Sequence, residues 1–260
     1  MEIILLGSGT AVPSPGRTPA AVLLVRQLTA YLLDIGPGAI HKMAARGIDP
    51  TSLQYIFLTH LHSDHTLDLA TFLQMNDSNP EMERTLPVFL TGPRGTTVFY
   101  NGLMSLYPGI APHNYPFTIK ECEASQFELG EVRISTAFTH HTPTSLAYRF
   151  DFPEGSLVYT GDCADSAIYA EDTALVDLCS NVDILICECS FPAGWPGGDH
   201  LNASDAGQLA ARAHVGQLVL THLYPPAGRV DIAAQAGVHY TGTVCVAADD
   251  LSLSLPSRNS

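Results

Sequence analysis

Positive charge is scarce in this chain. Its 260 residues hold 12 lysines and arginines against 26 aspartates and glutamates, a formal net charge of -14. The lysines among them are Lys42 and Lys120. A protein that grips a long nucleic acid needs a basic face to neutralise successive phosphates, so the charge counts against a polyanion held along its length. The acidic residues are spread rather than blocked and read as a solvated surface. Paired cysteines are lacking too. The six cysteines, Cys122, Cys163, Cys179, Cys187, Cys189 and Cys245, include no CxxC pair. In a chain of this size they read as reduced thiols, most of them in strands, of a cytoplasmic protein. No basic leader or long apolar run is present. MEIILLG passes straight into a strand, and neither a secretion signal nor a membrane span is expected. No Ser/Gly or charged linker interrupts the sequence, so residues 1–260 are expected to form one domain, large enough to bury a functional site without disulfides.

What is present is a run of short apolar segments divided by Gly/Pro turns. Ile3–Leu6, Ala21–Val25, Ala30–Ile35, Tyr55–Leu58 and Pro87–Leu90 read as strands. Pro37–Arg46 reads as a helix ended by Gly47, and Thr66–Met75 and Thr96–Tyr107 as further helices. The middle is mostly strand: Phe117–Cys122, Gln126–Leu129, Val132–Phe138, Ser145–Asp151 and Leu157–Tyr159. Beyond it come helix Thr173–Leu178, strand Ile184–Glu188, helix Ser204–Ala213 capped by Asn202, strand Leu218–Leu220, helix Ala233–Ala236 and a closing hairpin of Thr243–Ala247 with Leu251–Leu255. This order predicts an α/β protein with helices packed outside two stacked sheets. YIFLTHL and LVLTHLYP each end an apolar strand in Thr-His-Leu, at Thr59–His60–Leu61 and Thr221–His222–Leu223. Either two similar halves bring two strand-end histidines to one cleft, or a short string recurs by chance.

The densest chemistry is HLHSDH, which places His60, His62, Asp64 and His65 within six positions after an apolar strand. Neutral imidazole and carboxylate are the usual ligands of zinc and related divalent metals. On an extended strand end His60 and His62 share a face. Asp64 and His65 follow the turn of the chain and face another point, so one loop can serve two metals.

HxHxDH after an apolar strand resembles the signature of the metallo-β-lactamase superfamily, most of whose members are hydrolases on an αββα sandwich of two mixed sheets with helices outside. The resemblance spans nearly the whole chain. It implies three further ligands in order: a histidine from TAFTHHTPTSLAYRF, Asp162 from LVYTGDC and His222 from LVLTHLYP. For the first of these His140 and His141 compete. Val132, Ile134 and Phe138 share parity with His140, which places it on the packed face. In the ribonuclease Z-like branch the ligand precedes an aromatic residue by seven positions, as His141 precedes Tyr148. His141 is therefore the expected ligand and His140 a core or supporting histidine. The implied sites are His60, His62 and His141 for one ion, and Asp64, His65 and His222 for the other, with Asp162 bridging. The ions are zinc, manganese or iron, which such ligands do not separate. His62 argues against the flavodiiron members, which usually carry Glu at that position.

LLGSGTAVPSPGRTPAAVLL, LPVFLTGPRGTT, CECSF and DHLNASDAGQLAARA resemble ribonuclease Z and its small-molecule phosphodiesterase relatives. In that branch an acidic residue and a histidine, here Glu188 and His200, pass a proton to the leaving group. Asp64 is expected to orient the attacking water as well as to bind metal. Ribonuclease Z carries a long tRNA-clamping arm between the third and fourth metal motifs, but here His141 and Asp162 leave no room for one. The expectation is a dinuclear phosphodiesterase that uses a metal-bridging hydroxide on a small substrate, a cyclic nucleotide or a cyclic sugar phosphate. A lactone, ester or β-lactam hydrolase, a ribonuclease Z-type endonuclease and a non-catalytic binding protein remain the alternatives. The resemblance also suggests a homodimer. Arg17 reads either as a contact for substrate anion or as a surface residue, and Trp195 either as pocket lining or as packing under its Gly/Pro loop.

Overall fold

The computed structural model describes residues 1–80, 84–164, 172–196 and 198–255. Fourteen strands form two seven-stranded sheets among these residues. The first sheet holds β1 (Glu2–Gly7), β2 (Ala21–Arg26), β3 (Thr29–Leu33), β4 (Tyr55–Phe57), β5 (Val88–Pro93), β6 (Phe117–Cys122) and β14 (Leu251–Ser254), in the order β14-β1-β2-β3-β4-β5-β6. The second holds β7 (Gln126–Leu129), β8 (Val132–Phe138), β9 (Leu146–Phe152), β10 (Gly155–Tyr159), β11 (Ile184–Glu188), β12 (Gln217–Thr221) and β13 (Thr243–Val246), in the order β13-β12-β11-β10-β9-β8-β7. Both sheets are mixed: β3 to β6 run parallel, as do β10 to β13, and the remaining pairs are antiparallel.

Successive side chains on a strand point to opposite faces, and here both faces are covered. Ile3, Leu5, Val22, Leu24 and Leu33 pack inward against Ile134, Phe150, Leu157 and Ile186 of the other sheet. Ile4, Leu6, Leu23 and Leu32 face outward, under α1 (Ala39–Ala45), α3 (Asp68–Ser78) and α4 (Thr96–Leu106). On the far side Val158, Leu185, Leu218 and Leu220 lie under α5 (Ala174–Cys179), α6 (Ala203–Arg212) and α7 (Ile232–Ala236). Burial on both faces is why these strands read as unbroken apolar runs rather than alternating ones. The layering is the expected αββα sandwich. No helix among the described residues is long and apolar enough to cross a membrane.

The expected closing hairpin does not form. β13 pairs parallel with β12 in the second sheet, whereas β14 pairs antiparallel with β1 in the first. The chain crosses between sheets at Ala247–Asp250. Asp249 fixes the crossing by accepting from Ser8 N and Oγ at 3.0 and 2.8 Å and from Thr18 N and Oγ1, both at 2.8 Å. Arg17 is not among the residues that line the cleft. Its Nη1 donates to Ser8 Oγ at 2.6 Å and to Ala247 O at 2.7 Å, in the same clasp.

Arg84 is a buried cation, 3% exposed. It donates to the carbonyls of Thr51, Leu53 and Leu86 and to Asn76 Oδ1, between the rings of Phe72 and Tyr115. Arg84→Met fills the volume but strips the donors from several buried oxygens. The expected loss is about 3 kcal/mol, read as a lower denaturant midpoint with unchanged slope.

Candidate metal centre

The strands that carry the expected site residues end along one edge of the sandwich, and ligand sites in open α/β sheets lie outside the carboxyl ends of strands. After β4 the chain bends at Thr59 and continues through His60 to His62, which is extended and is the N-cap of α2 (Ser63–Thr66). Asp64 and His65 lie in that helix turn and join a different group of ligand atoms from His60 and His62. Asp162 follows β10, and His222 follows β12 with a left-handed φ of 56°. Gly161, at φ 57°, lets the β10 end meet β4: a Cβ there would lie 2.5 Å from Thr59 Cβ.

Two groups of ligand atoms converge. Asp162 Oδ2 lies 3.7 Å from His60 Nε2 and 3.6 Å from His141 Nε2, which in turn is 3.2 Å from His62 Nδ1. Asp162 Oδ1 lies 3.2 Å from His65 Nε2 and 3.3 Å from His222 Nε2. Asp64 Oδ2 is 3.8 and 3.5 Å from the same two nitrogens. A tetrahedron with metal–ligand bonds of about 2.1 Å has edges of about 3.4 Å, so both groups have the spacing of a divalent ion's ligands. Each oxygen of Asp162 serves one group. His60 Nε2 and Asp162 Oδ1 are buried and have no hydrogen-bond partner, although a buried polar atom ordinarily finds one. A cation between the ligands would satisfy both.

The outer partners fix the rings. His65 Nδ1 donates to Asp34 Oδ2 at 2.7 Å, and His141 Nδ1 to Asp199 O at 2.6 Å. Thr59 Oγ1 gives its proton to Asp34, so at 3.0 Å it accepts from His60 Nδ1. Ser190 Oγ gives its proton to Glu188 Oε2, so at 3.1 Å it accepts from His222 Nδ1. In all four rings the Nδ1–H is engaged outward, leaving Nε2 as the atom offered to the cleft.

The electrostatics demand positive charge. Burial pushes Asp162 up, but His222, His65 and His60 outweigh it and hold the carboxyl well below the usual range. Burial pulls the two raised histidines down, but the carboxylates together outweigh it: Asp162 with Asp64 and Glu188 lifts His222 to about 9, and Asp162 with Asp34 lifts His65 well above the usual value. His60, with weaker carboxylate support, is driven well below by burial and by His65. Two divalent ions would supply the charge that protons otherwise bring. The residues therefore fit a two-metal site.

Glu188 and His200 adjoin it. Glu188 is fully buried, accepts from Cys163 N, and its Oε2 receives His200 Nδ1 at 3.1 Å. His200 Nδ1 is 3.8 Å from Asp162 Oδ2. Burial lowers the His200 pKa, yet the hydrogen bond and charge of Glu188, together with the charge of Asp162, outweigh it and raise it. An open cleft of ≈ 440 Å³ lies before these groups, lined by His62, Asp64, His141, Asp162, His200 and Tyr224 among others.

His140 is not the core or supporting histidine expected. β8 ends at Phe138, so strand parity does not extend to the histidines. His140 turns outward at φ 58° to a hydrogen bond with Asp172, away from both clusters. The sequence reading missed Asp34. This carboxylate is 0% exposed, with φ 56°, and takes Thr59 N, Thr59 Oγ1, Tyr159 OH and His65 Nδ1. Its signal was an acid closing an apolar strand before Gly-Pro-Gly, the same strand-end pattern as Asp162. Asp34→Asn suits the left-handed backbone but weakens the hold on His65. Metal affinity is expected to fall by about 10- to 100-fold in competition with a chelator.

The comparisons agree with this geometry. Residues 15–222 match the family model described as metallo-beta-lactamase superfamily. A ribonuclease Z of Mycobacterium sp. (strain KMS) is 30% identical over 87% of this chain and 85% of its own. The metallo-beta-lactamase fold protein YhfI from Bacillus subtilis superposes with a TM-score of 0.82 at 22% identity, over 97% of this chain and 99% of that one. A diphosphatase from the PhnP family superposes with a TM-score of 0.74 at 17% identity, over 98% of each chain. In this chain β9 and β10 form a tight antiparallel pair in the interval between His141 and Asp162. The chain belongs to the metallo-beta-lactamase superfamily, in the ribonuclease Z-like branch, as a short form without the tRNA arm, and is a metal-dependent hydrolase.

Proposed function

We propose that this hydrolase cleaves a small phosphodiester, a cyclic nucleotide or a cyclic sugar phosphate. The observation that carries the reading is the Glu188–His200 pair beside the bridging carboxylate. Two divalent ions, zinc by preference, held by His60, His62 and His141 and by Asp64, His65 and His222 about Asp162, supply Lewis acidity and ionise water near neutral pH when bound.

The protein's own groups do the rest. Asp64 Oδ2, held by the Ala11 N–H at 2.9 Å, orients the attacking water. Glu188 grips His200 Nδ1–H, so the second nitrogen of that ring is the atom that gives a proton to the departing alkoxide. An alkoxide leaves poorly without one. The net charge of -14 and the tight β9–β10 turn favour a small substrate over tRNA. Relatives named ribonuclease Z and diphosphatase also support chemistry at phosphorus. The test is hydrolysis of bis(p-nitrophenyl) phosphate by the metal-loaded protein, with a lactone and a β-lactam alongside. The diester is expected to turn over fastest. Lactone or β-lactam turnover without diester cleavage would overturn the reading in favour of an acyl hydrolase.

A further inference from the structure

The cleft holds a phenol that none of the chemistry above uses. Tyr224 follows His222 by two positions and lines the cleft with Ala11, Ser63, Asp64, Asp162 and His200. Its ring centroid is 5.6 Å from that of His200, with planes at 59°, and 5.8 Å from that of His222, with planes at 73°. Phe191 backs the ring, stacked at 5.0 Å and 25°. Trp195 stacks on Phe191 in turn, at 4.8 Å, and so packs beneath its loop rather than lining the cleft. The backbone is held as well: Tyr224 N donates to Ser190 O at 3.3 Å, and Tyr224 O accepts from Ala227 N at 3.0 Å. At the hydroxyl end Thr10 is the side-chain hydrogen-bonding neighbour. The next residue, Ala11, grips Asp64 Oδ2 through its N–H. The phenol thus lies on the Asp64–His222 side of the cleft, between His200 and the loop that holds Asp64.

Charge in the transition state of an in-line displacement at phosphorus is shared by the non-bridging oxygens. Enzymes meet it with fixed donors, often arginine or lysine. No lysine or arginine is among the described residues that line this cleft, and Arg17 is engaged in the clasp with Ser8 and Ala247. Neutral hydroxyls remain, from Ser63 and Tyr224. Ser63 is exposed at the start of α2, whereas Tyr224 is packed against three rings and is oriented before a substrate arrives. A phenol with a pKa of about 10 keeps its proton at neutral pH and can donate it in a hydrogen bond.

We propose that the Tyr224 hydroxyl is a further catalytic group, donating a hydrogen bond to a non-bridging oxygen of the scissile phosphate. The proposal rests on the phosphodiesterase reading. The two donors at the cleft wall then have different targets. His200 gives up a proton to the leaving oxygen, while Tyr224 keeps its proton and shares it with an oxygen that stays on phosphorus. A hydrogen bond to an anionic oxygen is stronger than one between neutral groups, and one aimed at the charge of the transition state raises kcat rather than tightening the ground state.

Tyr224→Phe removes the hydroxyl and keeps the ring stack. In the metal-loaded protein kcat is expected to fall about 10²-fold, the lower end for loss of one such donor, with KM little changed and metal content intact. The loss is expected to be equal for an alkyl diester and for bis(p-nitrophenyl) phosphate, because the non-bridging oxygens carry charge whichever group leaves. Dependence on the leaving group belongs to His200 alone. An unchanged kcat, a loss confined to the alkyl ester, or a loss that follows lost metal would overturn the role of Tyr224 while the phosphodiesterase reading stands. Cleavage of neither diester by the unaltered protein would overturn both.

Discussion

Replacing His200 by Ala is expected to slow cleavage of an alkyl phosphodiester by about 10²- to 10⁴-fold, the range for a positioned general acid, with the metals still bound. The ring belongs to neither the His60–His62–His141 group nor the Asp64–His65–His222 group, but it lies with Asp162, Glu188 and His222 in a third cluster of possible ligands, so metal content is measured in the variant beside turnover. On the proposed reading it contributes a proton, delivered while Glu188 holds the other nitrogen. The defect must therefore depend on the leaving group. p-Nitrophenolate is a stable anion and departs unaided, so bis(p-nitrophenyl) phosphate should suffer far less than an alkyl diester. A variant equally slow on both esters would show that His200 positions the substrate or supports the metals instead. Glu188→Gln should show the same selectivity in milder form, since an amide holds the Nδ1–H less firmly than a carboxylate.

The second large effect is expected at Asp162. One of its oxygens faces His60 and His141 and the other faces His65 and His222. Asp162→Asn preserves the shape but turns an NH₂ toward one group, and an NH₂ cannot ligate. Bound metal should drop to one ion or fewer per chain. Hydrolysis should fall by more than about 100-fold, the upper end for loss of an outer partner alone. Elemental analysis alongside turnover measures both. Two ions and intact activity in the variant would remove Asp162 from its bridging role.

The parts of the site legible in the sequence were those written locally. HLHSDH compresses four of the convergent groups into one strand end and one helix turn, so spacing alone suggested that one loop can serve two points. Asp162 and His222 each close an apolar strand, and resemblance to a family placed them. The Glu188–His200 contact came the same way. What stayed hidden depends on distant chain. Asp34 gains its meaning from Thr59, His65 and Tyr159, the last 125 residues away. The hold on His141 comes from the backbone carbonyl of Asp199, and a carbonyl has no letter in a sequence.

The same limit explains the two misreadings. Alternation along Thr243–Ala247 and Leu251–Leu255 tells which face each side chain takes but not which sheet the strand joins. That choice is made by Asp249 against Ser8 and Thr18, more than two hundred residues away. Parity from Val132 to Phe138 was sound within β8, but it was carried one turn too far, to a histidine already in a left-handed bend.

The most direct test of the two-metal phosphodiesterase is to strip the protein with chelator and titrate zinc or manganese back while following an alkyl phosphodiester. Hydrolysis should be absent at the start and rise to a plateau at two equivalents per chain. Full turnover by the stripped protein, or no diester cleavage after two ions have bound, would contradict it.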